Sequence, residues 1–202
     1  MRMEHFTAAG KLPAIASIAS EPIPLHLERR WGAVLTADVV EYSRLTSLNE
    51  ERTYFLYKSY RRDLIDPKIQ EHCARFVKST GDGILAEFRT ALDATHCAIQ
   101  IQQGMAERCA GVSPDRRIVF RMGLSCGKII ADSEDIYGHD VNVAARLQTV
   151  APPGGLAMTH EIAERVQDTL RLPLEDLGLQ QLRNMCRPVH VFQCRFAGVE
   201  GE

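Results

Sequence analysis

Two apolar stretches, Arg75 to Ser79 and Ile84 to Phe88, are separated only by Thr80-Gly81-Asp82-Gly83, and so short a gap with two glycines predicts an antiparallel hairpin. Strands and helices are predicted on either side of it. Ala33 to Val40 (AVLTADVV) is a β-branched run that predicts a buried strand, and Leu48 to Ile65 carries helix formers up to a break at Pro67. Ala91 to Cys109 returns to helical spacing, with Ala94, Ala98, Ile101 and Met105 along one face. Ile118 to Ser125 and Lys128 to Ala131 predict strands around Gly127, and Gly138 to Val150 a helix stopped by Pro152-Pro153-Gly154-Gly155. Leu156 to Thr159 then predicts a strand, His160 to Leu170 a helix and Val189 to Phe196 a closing strand. Strand, helix, hairpin, helix, strand is the order of a ferredoxin-like α/β (α+β) sandwich with a mixed, largely antiparallel sheet, here with C-terminal elements added.

At 202 residues the chain has room for one domain with a well-buried core. The expected division is an arm over residues 1–28, flexible or associated with a dimer partner, a domain over 29–197 and a short tail over 198–202. An Ala/Ile/Ser-rich piece from Thr7 to Ser20 is interrupted by Lys11 and Pro13 and preceded by Glu4, which does not suit a secretion signal. Apolar content of 45% and charged content of 25% are those of a globular protein, which argues against disorder as the dominant state. A net charge of -2 gives no broad basic field, so no nucleic-acid partner is expected. There is no run of eighteen apolar residues, and no membrane segment is expected. The cysteines at 73, 97, 109, 126, 186 and 194 form no C-x-x-C pair, and the neighbours His72-Cys73 and His96-Cys97 point in different directions rather than forming a zinc clamp. Buried reduced thiols in a cytoplasmic protein are the simplest account.

Four places carry chemistry. Asp38 interrupts an apolar strand, where an ionised carboxylate costs several kcal/mol unless a cation, a metal or several donors offset it. Taken alone, it reads first as a cap of the following helix. Asp82 at the hairpin tip is an ordinary turn residue by itself, but two carboxylates on neighbouring strands can converge at one end of a sheet, and hard oxygen ligands of that kind suit Mg²⁺ or Mn²⁺. Lys78, four residues before Asp82, reads either as its surface ion-pair partner or as a donor to a base edge. In Asp135-Ile136-Tyr137-Gly138-His139-Asp140-Val141-Asn142-Val143-Ala144-Ala145-Arg146, the residues Asn142 and Arg146 share a helix face, with Val141, Ala144, Ala145 and Gln148 elsewhere around it. A solvated face and a phosphate- and sugar-binding face are equally open for that pair.

Together these stretches, ADVVEYSRL, VKSTGDG, EDIYGHDVNVAARL and LRNMCRPVHVF, resemble the class III nucleotide cyclases, the adenylate and guanylate cyclase catalytic domain, and look closest to bacterial members. The resemblance covers about Arg29 to Phe196 and implies the cyclase fold. It implies that Asp38 and Asp82, helped by the carbonyl of Val39, hold two Mg²⁺ or Mn²⁺ ions per active site. It implies that Lys78 and Asp135 read the purine as adenine, that Asn142 positions the ribose, and that Arg146 stabilises charge on the reacting phosphate. Arg183 falls where the family often has a phosphate-binding lysine, with Arg187 as a substitute. The implied reaction is conversion of ATP to cyclic AMP and pyrophosphate, at sites shared between two copies of the chain. Glu41 departs from the family pattern, which commonly has a small residue there, and would weaken triphosphate binding unless it turns outward. The rival readings are a cyclase-like binding module without turnover, a guanylate cyclase, and a diguanylate cyclase or polymerase-palm enzyme. The last is disfavoured by the lack of a G-G-D-E-F-like turn.

Overall fold

In the computed structural model, which describes residues 28–196, strand β1 (Glu28–Val39) runs through the middle of an eight-stranded sheet. Its composition explains the position. Ala33, Leu35, Ala37 and Val39 enter one core and Val34 another, and a strand apolar on both faces belongs where both are covered. Across the sheet the order is β2 (Arg75–Thr80), β3 (Gly83–Phe88), β1, β4 (Phe120–Ala131), β6 (Gly155–Thr159), β8 (Val189–Arg195) and β7 (Glu175–Gln180), with β5 (Ile136–Tyr137) paired to the end of β4. All pairs are antiparallel except β4 with β6, whose crossover is supplied by α5 (His139–Val150). The expected α+β sandwich, with a mixed and largely antiparallel sheet, is the observed fold.

One face of the sheet carries α1 (Tyr42–Leu48), α2 (Glu50–Tyr60), α3 (Asp66–Glu71), α4 (Ala91–Cys109) and α6 (His160–Leu170), all contributing to the larger core. Gln102 of α4, buried to 1% exposure, donates to the carbonyls of Phe120 and Gly155 at 3.1 and 2.9 Å and so ties the helix to both parallel strands. The other face carries α5. That helix sits unusually low: a Cβ on Gly123 of β4 would lie 2.2 Å from the Ala144 carbonyl oxygen and 2.4 Å from the Gln148 amide nitrogen. Only glycine lets the two backbones meet there.

Several boundaries differ from expectation for identifiable reasons. The helix expected over Leu48 to Ile65 is interrupted at Asn49, whose side chain accepts the Arg52 N–H at 2.9 Å and caps α2. It then continues past Pro67, because a π-helical turn over Arg61–Ile65 precedes it and Pro67 falls in the first turn of α3, where no N–H is needed. The two strands expected around Gly127 are one, β4, with Gly127 opposite Gly32 and the Asp140 carboxylate filling the space its side chain would occupy. Strand β1 starts at Glu28, five residues before Ala33, and its charged start is held by Arg30, which donates to both oxygens of Glu87 at 2.8 and 2.9 Å. The edge strand β7 and the short β5 carry no periodic signal. All six cysteines are free, but Cys73 and Cys186 are exposed rather than buried, on a turn with φ of 50° and in the loop before β8. The expected arm, apart from Glu28, and the expected tail lie outside the described residues.

Gly123→Ala is expected to lower stability by about 1–3 kcal/mol through overpacking of α5 against β4. Urea denaturation checks this: the midpoint should fall while the slope stays constant.

Candidate active site

Asp38 lies at the end of β1 on the α5 side of the sheet and is paired in register with Arg121 of β4. The guanidinium donates to both carboxylate oxygens, Nε to Oδ1 at 3.2 Å and Nη2 to Oδ2 at 2.9 Å. The helix-cap reading of Asp38 is thereby overturned, since the residue at the start of α1 is Glu41 and no side chain caps that helix. Sequence reasoning missed Arg121, although a charge inside the apolar run IVFRMGLS was a signal that a partner was needed.

Asp82 occupies the turn after Gly81, which holds φ of 78° and so relieves its neighbours of a left-handed conformation. Burial pushes its carboxyl above the ordinary range. The N–H of Asp82 itself pulls it down, the Asp38 charge pushes it up, and the Val39 N–H pulls it down again. Asp38 and the Val39 N–H are therefore both close enough to Asp82 to act on its carboxyl. Among the described residues no cluster of three or more His, Cys, Asp or Glu side chains is placed to enclose a metal ion, so a cation here would need backbone, phosphate or water oxygens to complete its shell.

Glu41 takes φ of 52°, a conformation glycine would hold at no cost. Its carboxylate turns to Arg44, which donates from Nε at 2.6 Å and from Nη1 to the Asp115 carbonyl at 3.0 Å. The departure from the family pattern is thus outward-facing and paired.

Lys78 bonds Asp135, not Asp82. Asp135 is oriented by its own turn: Asp132 Oδ1 accepts the N–H groups of Glu134 and Asp135 at 2.8 and 2.7 Å, and Asp135 Oδ1 accepts the Ile136 N–H at 2.8 Å. Burial pushes the Asp135 carboxyl up, but the hydrogen bonds from Lys78 and Ile136 outweigh it and hold the group below the ordinary carboxylate range. The same bond raises Lys78. Both line a cleft of about 420 Å³ together with Thr36, Tyr137 and Asn142.

Neither Asp38, Asp82 nor Arg146 lines that cleft. The α5 wall consists of Val141, Asn142, Ala145 and Gln148, so Asn142 shares a face with residues expected elsewhere around the helix. At about 100° per residue, Gln148, Val141 and Ala145 form one stripe, Asn142 borders it and Arg146 lies beyond. A larger cleft of about 710 Å³ lies on the other side of Asn142, between the starts of α5 and α6 and the loop before β8. Arg187 lines it and Arg183 does not; both are exposed.

The family model of the adenylate and guanylate cyclase catalytic domain matches residues 32–186. The chain belongs to this family. The cyclase domain is 42% identical to a solved adenylate/guanylate cyclase/hydrolase from Silicibacter pomeroyi, with a TM-score of 0.81 over 85% of this chain and 99% of that one. It is 39% identical to the Rhizobium meliloti protein named Putative adenylate cyclase 3, over 82% of this chain but only 28% of that protein, so it spans less than a third of that relative. The structure of the adenylyl cyclase CyaB from P. aeruginosa, 20% identical, shares the fold with a TM-score of 0.73 over 88% of this chain and 100% of that one. No helix among the described residues is long and apolar enough to cross a membrane.

Because the pKa of Asp82 is raised in the folded cyclase domain, its ionised form is a stability cost that is absent below the unfolded carboxylate pKa and complete above the folded one. Asp82→Asn is therefore expected to raise the melting temperature at pH 7 in chelator-treated buffer, with the gain shrinking as pH falls through the carboxylate range. Paired thermal melts from pH 4 to 8 check this.

Proposed function

We propose that this cyclase domain, taken as residues 29–197, converts ATP to 3′,5′-cyclic AMP and pyrophosphate at sites shared between two copies of the chain. The observation that carries the adenine preference is the Lys78–Asp135 pair in the 420 Å³ cleft, a donor and an acceptor side by side where a base edge needs both. In this reading Lys78 donates to a purine ring nitrogen and Asp135 accepts from the exocyclic amino group. Asn142, in the same cleft, orients the ribose, and Arg146 spreads charge that develops on the α-phosphate. Arg183 or Arg187 holds the triphosphate.

The donor set suits a hard divalent cation. Asp82 is burdened by burial and by the charge of Asp38, a repulsion that a cation held by these carboxylates would relieve. Asp38, Asp82 and the Val39 carbonyl would hold Mg²⁺ or Mn²⁺, two ions per site. Bound there, the ions supply Lewis acidity that lowers the pKa of the 3′-hydroxyl and offsets triphosphate charge. The 3′-oxygen bonds to the α-phosphorus as the bond to pyrophosphate breaks, and the hydroxyl proton leaves to solvent. No protein nucleophile is required, and positioning carries much of the rate. Site sharing is the family pattern that the resemblance implies, and it suits a single chain in which neither the carboxylates nor Arg146 lines the cleft that holds Lys78, Asp135 and Asn142. A second copy would bring one chain's carboxylates to the other chain's cleft.

With Mn²⁺, the intact chain is expected to form cyclic AMP from ATP in preference to cyclic GMP from GTP, and Asp82→Ala to lose on the order of 10³-fold in kcat. No product from the intact chain would sink the enzyme reading, while equal or better turnover of GTP would sink the adenine reading. Lys78→Glu combined with Asp135→Cys is expected to move the preference toward GTP.

Mixing inactive Asp38→Ala and Arg146→Ala chains is expected to restore about a quarter of wild-type activity, because half of randomly formed dimers carry one intact site of two. Persistent inactivity of an isolated heterodimer would rule out site sharing.

A further inference from the structure

Lys78 stands on β2, an edge strand held only by β3, so its register is fixed from one side alone. Alternation would put Lys78 on the same face as Phe76, towards α4 and away from the cleft. It does not lie there, because β2 carries a bulge: Phe76 pairs with Ala86 but Lys78 with Leu85, leaving Val77 as the extra residue. Ala86 belongs to the core under α4 and Leu85 to the core under α5. The bulge thus turns Lys78 to the α5 side and swings Ser79, paired with Ile84, to the α4 side.

Both residues that flank the bulge on the α4 side are gripped by Arg61. Its guanidinium lies over the Phe76 ring at 4.3 Å, and its Nη1 donates to Ser79 Oγ at 2.8 Å. Unbulged alternation would carry Ser79 to the opposite face, away from this bond. Arg61 is itself immobilised, with a side chain only 12% exposed and Nε donating to Asp66 at 2.8 Å. The π-helical turn makes that pairing possible, since the Asp66 N–H bonds the Arg61 carbonyl and brings residues five apart into contact. An ordinary α-helical turn places residues three and four apart together instead.

We infer that Arg61 is a positioning residue of the nucleobase site, holding the β2 bulge that turns Lys78 into the cleft beside Asp135. The inference rests on the reading of Lys78 as the base-reading donor. Arg61 does not line the cleft and acts through Phe76 and Ser79.

The test compares the wild-type chain with Arg61→Met, which keeps an apolar stem but loses both hydrogen bonds, with Ser79→Ala, which loses one, and with Arg61→Lys. Titration of the Lys78 ammonium, followed by ¹⁵N NMR, is the readout independent of turnover. In the wild type Lys78 should titrate above an ordinary lysine, and in Arg61→Met it should move back towards one. The kcat/KM ratio of ATP to GTP should fall roughly tenfold in Arg61→Met, mainly through KM for ATP, less in Ser79→Ala, and recover in part in Arg61→Lys. An unchanged Lys78 titration in a folded Arg61→Met or Ser79→Ala chain would overturn the inference, as would an equal loss on ATP and GTP. Absence of any cyclic nucleotide from the wild-type chain would instead overturn the proposed function, and the Lys78 titration would then decide the part played by Arg61.

Discussion

Helix α5 meets β4 backbone against backbone at Gly123, and much of the candidate site takes its position from that contact. With no side chain to separate them, the helix is pressed into the sheet over β1 and β4, and Ala144 completes the small core with Val34 and Leu85. The loop that enters the helix must then turn back tightly, which the Asp132 side chain arranges by accepting two backbone N–H groups. Asp135 emerges from that turn facing the edge strand. Because α5 covers the centre of the sheet and leaves the β2–β3 side open, the space beyond it becomes the cleft in which Lys78, Asp135 and Asn142 meet.

What was legible in the sequence was local. The glycine-flanked turn at Asp82, the helices α4 and α6 and the start of α5 follow from spacing and punctuation, which depend on nearby residues. The strand starts that were missed depend on distant ones: Glu28 to Gly32 is a strand because β4 runs alongside it and Glu87 receives Arg30. Lys78 shows the same limit. Its place on the chain was evident, but local spacing offered Asp82 as its partner and Asp135 came only through the resemblance, because the bulge at Val77 reverses the face on which it appears. For Asn142 and Arg146 the helix was read correctly, but the cleft reaches only the edge of the face they share, so that one lines it and the other lies beyond it.

Charges inside the sheet are matched pair by pair rather than spread over a field. Glu87, only 7% exposed, receives both arms of Arg30 at one end of β1, and Asp38 receives both arms of Arg121 at the other. Bidentate guanidinium pairs suit such places because a planar fork satisfies two oxygens at once. The near-neutral total charge is therefore the sum of close pairs, and gives no hint of where they lie.

The pairing of Asp38 with Arg121 also has a thermodynamic side. Under the proposed reading, a cation at Asp38 would compete with the Arg121 guanidinium for the same two oxygens, and its affinity would be lowered accordingly. An anion that engaged Arg121 would remove that opposition. By reciprocity, cation and anion would then each raise the affinity of the other by the same factor. Such a site would discriminate against the bare ion and the bare anion alike and favour the two together, with one side chain as its moving part.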